Sequence, residues 1–192
     1  MLGQGTTIFP DNLAVGTAGD EAFPYRQGVF EARELRRLGV DLNFGPVLDV
    51  LTDRYSPNIG IRSYGKDPGL VARYGLARIK GMQKGGVSAC AKHFPGKGHS
   101  PLDAHLRLPT IESTWAEMKA THLPPFHAAI ADGIDSLMTS HPGLSESRCL
   151  ARAGDLLAAH RARLPAPGSR ILRRDHLGRP GDGGDRRDVP DR

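Results

Sequence analysis

Apolar and polar positions along the chain follow two patterns, one of helical period and one of short apolar runs. The helical pattern covers residues 25–38, 68–84 and 114–131 and predicts three amphipathic helices. The positions expected to face a core are Val29, Phe30, Ala32 and Leu35 in the first helix, Leu70, Val71, Tyr74, Ile79 and Met82 in the second, and Met118, Leu123, Phe126 and Ile130 in the third.

A short run that begins apolar and ends polar follows each helix, at residues 40–44, 87–93 and 134–141. These runs predict buried strands that start about 47 residues apart, and a glycine ends the helix before each of them. A helix before every strand is typical of parallel β/α units. The sequence therefore predicts an α/β fold whose functional residues lie at the carboxyl ends of parallel strands.

The length of 192 residues, with 39% hydrophobic residues, fits one ordinary domain or slightly more. A complete eight-fold β/α barrel usually takes roughly 250 residues, so the chain is short for that fold. Its two cysteines, Cys90 and Cys149, cannot form a disulfide scaffold, and they lack the paired C-x-x-C spacing of a zinc module. We therefore expect neither a disulfide framework nor a cysteine-based zinc module.

The formal net charge of +5 suggests an acidic partner such as nucleic acid, but its distribution argues against one. Residues 146–192 hold 11 Arg against 7 acidic residues, which leaves 15 basic and 14 acidic residues before them. The excess charge belongs to the tail, where acidic residues are interleaved and aromatic residues are absent. We expect no nucleic-acid partner.

The N-terminus lacks a basic start followed by an apolar stretch, and no run is long enough to cross a bilayer. The sequence predicts neither a signal peptide nor a membrane span. A cytoplasmic location is the default expectation, and the sequence does not indicate an oligomeric state.

Residues 146–192 differ in composition from the rest of the chain, since they contain no Lys, Asn, Gln, Thr, Met, Phe, Tyr or Trp. Arg, Gly, Pro and Asp dominate from residue 164 onward, with too little apolar area to offset the entropy of ordering the chain. We divide the chain into a domain at 1–145 and an atypical, low-order tail at 146–192. The tail is interpreted as disordered or as the product of a shifted reading frame.

The densest group of polar residues follows the second predicted strand, at 92–105. Lys92 and His93 stand at the strand end, where an ammonium group and an imidazole can hydrogen-bond to substrate hydroxyls. Asp103 and His105 are two residues apart, so an extended segment presents both side chains on one face. A carboxylate that holds one ring nitrogen fixes the histidine tautomer, as an acid/base histidine requires.

Two alternatives to this interpretation remain at the level of the residues alone. The histidines could simply occupy a surface loop. A metal ion could instead be bound by His93, His99, Asp103 and His105, although no short helical histidine pair supports that arrangement.

Several segments resemble glycoside hydrolase family 3, in its bacterial β-N-acetylglucosaminidase branch. Residues 92–96 read Lys-His-Phe-Pro-Gly and residues 103–105 read Asp-Ala-His, similar to the Lys-His-Phe-Pro-Gly and Asp-Ser-His signature of that branch. The strand and turn at 40–50, the Arg-Ser-Tyr segment at 62–64 and the Leu-Met-Thr-Ser-His strand at 137–141 resemble the family as well. The resemblance runs from about residue 5 to residue 142.

The resemblance implies a partial TIM-type barrel that removes terminal β-N-acetylglucosamine with retention, through a glycosyl-enzyme intermediate and without a cofactor. By position, it implies that His105 is the acid/base and that Asp103 orients it. It also implies that Arg62, Lys92 and His93 bind the sugar. The alternative function is a non-catalytic, carbohydrate-binding remnant of the same fold.

The sequence departs from the family pattern in several places, among them His99, where an acidic or small residue is common, and Ala104, where serine or a similar small residue is usual. Lys97 replaces the second histidine of the Phe-Pro-Gly-His-Gly motif, and no Asp-Gln/His-Glu-Gly-Gly stretch stands near residues 1–9. The nucleophilic aspartate, expected in a Thr/Ser-Asp setting after the 137–141 strand, is not recognisable. Asp175, 34 residues after His141, is only a weak candidate because Arg173 and Arg174 stand where buried strand residues are expected.

Overall fold

The computed structural model describes residues 6–53, 56–98, 110–111, 113–140 and 143–144. The helices are α1 (Asn12–Ala18), α2 (Phe23–Arg37), α3 (Pro68–Lys84), α4 (Trp115–Glu117) and α5 (Pro124–Ala131), with a 3-10 turn at Gly60–Arg62 and a π-helical turn at Met118–His122. The strands are β1 (Leu42–Asn43), β2 (Ser88–Phe94), β3 (Thr110–Ile111), β4 (Ser136–Thr139) and β5 (Gly143–Leu144).

Three strands form a parallel sheet in the order β1-β2-β4, which confirms the predicted β/α units. The predicted first strand is shorter than expected, but its extended backbone continues alongside β2. Val47 forms a parallel bridge with Lys92, and the Leu48 N–H donates to the Lys92 carbonyl at 2.7 Å. The short strands β3 and β5 pair separately, also in parallel. The carboxyl ends of β1, β2 and β4 therefore meet at one edge.

Helix α3 begins and ends where the sequence predicts. Asp67 caps it, since its side chain accepts a hydrogen bond from the Gly69 N–H at 2.9 Å, and Pro68 takes the first helical position. Gly86, with φ of 84°, turns the chain out of the helix toward β2. The helix thus delivers the chain to the start of the central strand.

The third predicted helix, at 114–131, is interrupted. Thr114 and Glu117 form a capping box at its start. Pro124 and Pro125 lack the N–H groups that would continue the α-helical ladder. The Leu123 N–H instead bonds to the Met118 carbonyl at 2.9 Å, a π-helical bond, before α5 resumes.

Helices α2 and α3 cross at glycines, which corrects one sequence expectation. A Cβ atom added at Gly28 would lie 2.4 Å from the Arg78 carbonyl oxygen, and one at Gly81 would lie 2.2 Å from the Tyr25 carbonyl oxygen. The face of α2 that carries Gly28 and Ala32 is therefore the buried one. Phe30, expected inward, is 46% exposed because it projects away from this contact.

The core lies between the sheet and helices α3 and α5, and it includes four residues that the sequence placed inward: Ile79, Met82, Leu123 and Phe126. Ala89 and Ala91 of β2 contact this core, while Lys92 lies on the other face of the strand. The core cluster consists of Leu48, Ile79, Met82, Ala89, Ala91, Phe94, Leu123, Phe126, Ala129 and Ile134. A second cluster of Val15, Val50, Tyr64, Val71 and Tyr74 packs α1 and α3 against the chain that follows β1.

Within the described part of the chain, β1 has a neighbour on one side only. Leu42 and Phe44 at this edge are 43% and 59% exposed. The three strands thus form an open parallel sheet, as in part of a barrel, rather than a closed one. No helix among the described residues is long and apolar enough to span a membrane. The tail predicted at 146–192 lies outside the described residues.

Candidate active site

The structure brings together three of the five residues that the sequence assigns to the site. The Nη2 atom of Arg62 lies 3.5 Å from Nε2 of His93, and Lys92 precedes His93 on β2. Asp103 and His105 lie outside the described residues, so their assignment stays a prediction. Arg62, Lys92 and His93, called the polar cluster below, confirm that polar side chains gather at the carboxyl end of the central strand.

Strand β2 presents Lys92 and His93 through a break in its regular pairing. Its register with β4 shifts between Lys92 and Phe94, so Phe94 packs in the core while the two polar residues remain half-buried at the strand end. The Ser140 N–H donates to the Phe94 carbonyl at 2.8 Å, which fastens the end of β4 to the same point.

Asp49 is a site residue that the sequence interpretation did not single out. Its carboxylate is fully buried and accepts hydrogen bonds from the His93 backbone N–H at 3.2 Å, His93 Nδ1 at 2.7 Å and the Lys97 backbone N–H at 2.8 Å. One signal in the sequence points to it: an acidic residue stands between the buried Leu48 and Val50 just after a strand. A carboxylate in such a position needs donors from elsewhere in the fold.

Arg62 is oriented from both its side chain and its backbone. Its Nη1 atom donates to the Asn58 carbonyl at 2.8 Å, and its own carbonyl accepts from the Asn12 side-chain amide at 2.7 Å. The Asn12 amide oxygen in turn accepts from Arg78 at 2.8 Å. Helices α1 and α3 therefore both hold the turn that carries Arg62.

A buried ion pair supports that connection. Arg78 on α3 donates to both oxygens of Glu31 on α2, at 3.1 and 2.6 Å, and Gln27 donates to the same carboxylate at 3.0 Å. The Arg78 and Glu31 side chains are only 16% and 14% exposed. A bidentate pair with additional hydrogen bonds is the arrangement that makes a buried pair tolerable, and it fixes the direction of Arg78 toward Asn12.

The protonation of the cluster follows from its burial and its excess of positive charge. Burial lowers the pKa of Lys92, and the Arg62 guanidinium lowers it further. Burial also lowers the pKa of His93, against the opposing effect of its hydrogen bond to Asp49. His93 is therefore predominantly neutral at neutral pH.

Acidification is expected to destabilise the fold through His93. Because the pKa of His93 is lowered in the folded state, the unfolded chain binds the proton first as the pH falls below the ordinary value of about 6.5. The contribution of neutral His93 to stability is complete above that pH and is lost below it. Thermal unfolding midpoints of the parent and His93→Gln, measured from about pH 8 to about pH 5, should show a smaller acid-induced drop in the variant. Equal drops would contradict this effect.

A cavity of about 320 Å³ lies next to the cluster, beside the open edge of β1. Arg62 and Lys92 both line it, and its volume is at the lower end of the range for small-molecule sites. Its remaining lining residues are Thr7, Phe9, Pro10, Asp11, Asn12, Gln27, Glu31, Asn43, Phe44, Gly45, Pro46, Val47 and Arg78. The cavity combines charged and amide groups with two aromatic rings.

In the described ranges, no group of three or more His, Cys, Asp or Glu side chains lies close enough to hold a metal ion. Of the four residues considered for a metal site, only His93 is described, and His99, Asp103 and His105 are not. The observed arrangement supplies N–H donors from two cations, Arg62 and Lys92, beside the neutral imidazole of His93. Such groups are suited to a ligand with several hydroxyl or carbonyl oxygens.

A parallel α/β sheet with a polar cluster at the carboxyl end of its central strand is the arrangement found in the active sites of α/β enzymes, β/α barrels among them. Residues 1–170 match the glycosyl hydrolase family 3 N-terminal domain, and the chain belongs to that family. This confirms the family resemblance and the TIM-type fold that it implies.

Individual relatives agree with this assignment. The β-hexosaminidase of Neisseria meningitidis serogroup C is 40% identical over 126 residues, which cover 66% of this chain and 35% of the relative. A family 3 β-N-acetylglucosaminidase from Paenibacillus has a TM-score of 0.71 at 42% identity, over 73% of this chain and 27% of that one. NagZ from Neisseria gonorrhoeae, solved with N-trifluoroacetyl-D-glucosamine, has a TM-score of 0.67 at 36% identity, over 73% and 43%. The chain spans about a third of the length of the curated relative.

Proposed function

We propose that this chain is a glycoside hydrolase that removes terminal β-linked N-acetylglucosamine with retention of configuration. The observation that carries the proposal is the convergence of Arg62, Lys92 and His93 at the carboxyl end of β2 in a family 3 chain. The solved relative that binds N-trifluoroacetyl-D-glucosamine supports an N-acylated glucosamine as the sugar.

In this proposal Arg62, Lys92 and His93 bind the sugar, and His105 performs proton transfer. Arg62 and Lys92 donate hydrogen bonds to sugar oxygens, and His93 contacts a hydroxyl through its ring. His105, oriented by Asp103, protonates the leaving oxygen and later activates water. The retaining mechanism also needs a carboxylate nucleophile, for which Asp175 is the weak candidate in this sequence.

A second candidate function is carbohydrate binding without turnover. It is favoured by one specific observation, that no Thr/Ser-Asp segment follows the 137–141 strand in the sequence. Sugar binding needs Arg62, Lys92 and His93 but no nucleophile, so the two functions differ only in hydrolysis.

A chromogenic 4-nitrophenyl N-acetyl-β-glucosaminide distinguishes the two functions. We expect the parent chain to release nitrophenol, and His105→Ala to reduce the rate by about a hundredfold or more, because proton transfer to the leaving group is lost. Arg73→Ala, which alters a surface pair with Glu21, should leave the rate unchanged.

This assay, together with a binding titration of N-acetylglucosamine, has three informative results. Loss of activity in Asp175→Ala would assign the nucleophile. Saturable binding of N-acetylglucosamine without nitrophenol release would replace hydrolysis with the carbohydrate-binding function. The absence of both binding and release would contradict both candidates.

A further inference from the structure

The Asp49 carboxylate contacts three nitrogen atoms, two of His93 and one of Lys97. Two of them, the backbone N–H groups of His93 and Lys97, can only donate, at 3.2 and 2.8 Å. The third contact joins Oδ2 to Nδ1 of His93 at 2.7 Å, and the Asp49 side of this contact is fully buried. A carboxylate is a pure acceptor, so the proton of this contact belongs on Nδ1.

The other ring nitrogen of His93 gives the same answer independently. Its neighbour is Nη2 of Arg62 at 3.5 Å, and a guanidinium has donors only. A proton on Nε2 would point at this cation, whereas a lone pair on Nε2 faces it favourably. Asp49 on one side and Arg62 on the other therefore select the same neutral tautomer.

We propose that Asp49 is a positioning residue that holds His93 in the Nδ1-protonated tautomer, so that Nε2 keeps a lone pair, rather than a proton, toward Arg62 and a ligand bound beside it. This inference rests on the proposed function for the identity of the ligand, a sugar with free hydroxyl groups. Arg62 and Lys92 can only donate to such a ligand. His93 in this tautomer adds an acceptor to the cluster, which can receive a hydrogen bond from a sugar O–H beside the Arg62 guanidinium.

Asp49 also joins the two loops that follow β1 and β2. Its contact with the Lys97 N–H is reinforced next to it, where the Asp53 N–H donates to the Gly98 carbonyl at 3.2 Å. A Cβ atom added at Gly98 would lie 1.8 Å from the Val50 carbonyl oxygen, so the two loops touch along their backbones. The carboxylate is thus held in place from the loop as well as from the strand.

The tautomer can be measured directly by long-range ¹H–¹⁵N correlation spectra of the full chain labelled at histidine nitrogens, at about pH 7.5, where the ring is neutral. The chain has 8 histidines, and His93→Gln assigns the signal of interest. We expect Nδ1 of His93 to carry the proton in the parent. In Asp49→Ala the fraction of His93 protonated on Nδ1 should fall, although Arg62 still favours that tautomer, and the Kd for N-acetylglucosamine should rise by roughly tenfold.

Asp132→Asn is the matched control, because it removes a carboxylate that pairs with Lys80 at the surface. It should leave both the His93 spectrum and the Kd unchanged. A proton on Nε2 in the parent would overturn the proposal, as would an unaltered His93 spectrum in Asp49→Ala. If Asp49→Ala does not fold, the spectrum of the parent still shows which ring nitrogen of His93 carries the proton. Failure of the parent to bind N-acetylglucosamine would contradict the proposed function, and the tautomer would still be measured.

Discussion

Replacing Gly81 with alanine is expected to lower the free energy of unfolding by about 3 kcal/mol or more. Helix propensity alone predicts the opposite, since alanine is favoured over glycine by about 1 kcal/mol in a helix interior. The steric effect dominates because the added Cβ would lie 2.2 Å from the Tyr25 carbonyl oxygen and 2.9 Å from the Val29 nitrogen. Both are backbone atoms of α2, so no side chain can rotate away.

The contact between α2 and α3 also supports the candidate site, so the Gly81→Ala substitution should affect the position of Arg62. Separating α2 from α3 would also pull Glu31 away from Arg78, whose hydrogen bond to Asn12 supports the Arg62 turn. Loss of the helix contact should therefore weaken the site as well as the fold. Chemical denaturation followed by circular dichroism measures the first effect.

Gly69→Ala is the matched control for this experiment. Gly69 lies in the first turn of the same helix, and an added Cβ there would meet its nearest atom, an Asp67 side-chain oxygen, at 3.4 Å. We expect this variant to be as stable as the parent or slightly more stable. Equal stability of Gly81→Ala and Gly69→Ala would show that the helices do not cross at Gly28 and Gly81.

Replacing Arg62 with alanine is expected to weaken binding of N-acetylglucosamine by about tenfold to a hundredfold. A hydrogen bond from a charged donor contributes roughly 1.5–3 kcal/mol, and the guanidinium is held in place before the ligand arrives. The guanidinium donates to the Asn58 carbonyl at 2.8 Å, and the Asn12 side-chain amide donates to the Arg62 backbone carbonyl at 2.7 Å. Isothermal titration calorimetry of the parent and the variant measures the change.

Two further variants separate a role in binding from a general effect on folding. Lys92→Ala should weaken binding to a similar degree, since Lys92 lines the same cavity. Arg73→Ala should not, because its contact is with the exposed Glu21 at 3.0 Å. Unchanged binding in both Arg62→Ala and Lys92→Ala would remove these residues from the sugar site.

The sequence predicts those features of the fold that depend on interactions between residues close together in the chain. Helical periodicity, the cap at Asp67 and the helix-ending glycines place α3 and the parallel strands correctly. Phe30 shows where local pattern is insufficient. Its spacing suits a buried face, but the contact at Gly28 decides which face of α2 is buried, and that depends on a helix some 50 residues away.

The candidate site is predictable to a similar extent. Lys92 and His93 stand out because they end a buried strand, and Arg62 stands out through the family resemblance. Asp49 was missed because its partners, His93 and Lys97, lie 44 and 48 residues further along the chain. A carboxylate between apolar residues indicates that hydrogen-bond donors must come from elsewhere in the fold. Only the parallel pairing of β1 and β2 shows that these donors belong to His93 and Lys97.

The central claim is that the carboxyl end of β2 binds the sugar, and the most direct test is to locate the residues that contact N-acetylglucosamine. A titration of the ¹⁵N-labelled chain with this sugar, followed by ¹H–¹⁵N NMR, should show saturable shifts centred on Arg62, Lys92 and His93, with smaller shifts at Lys97. No saturable shifts, or shifts centred on a different part of the chain, would contradict the assignment of the β2 strand end as the sugar-binding site.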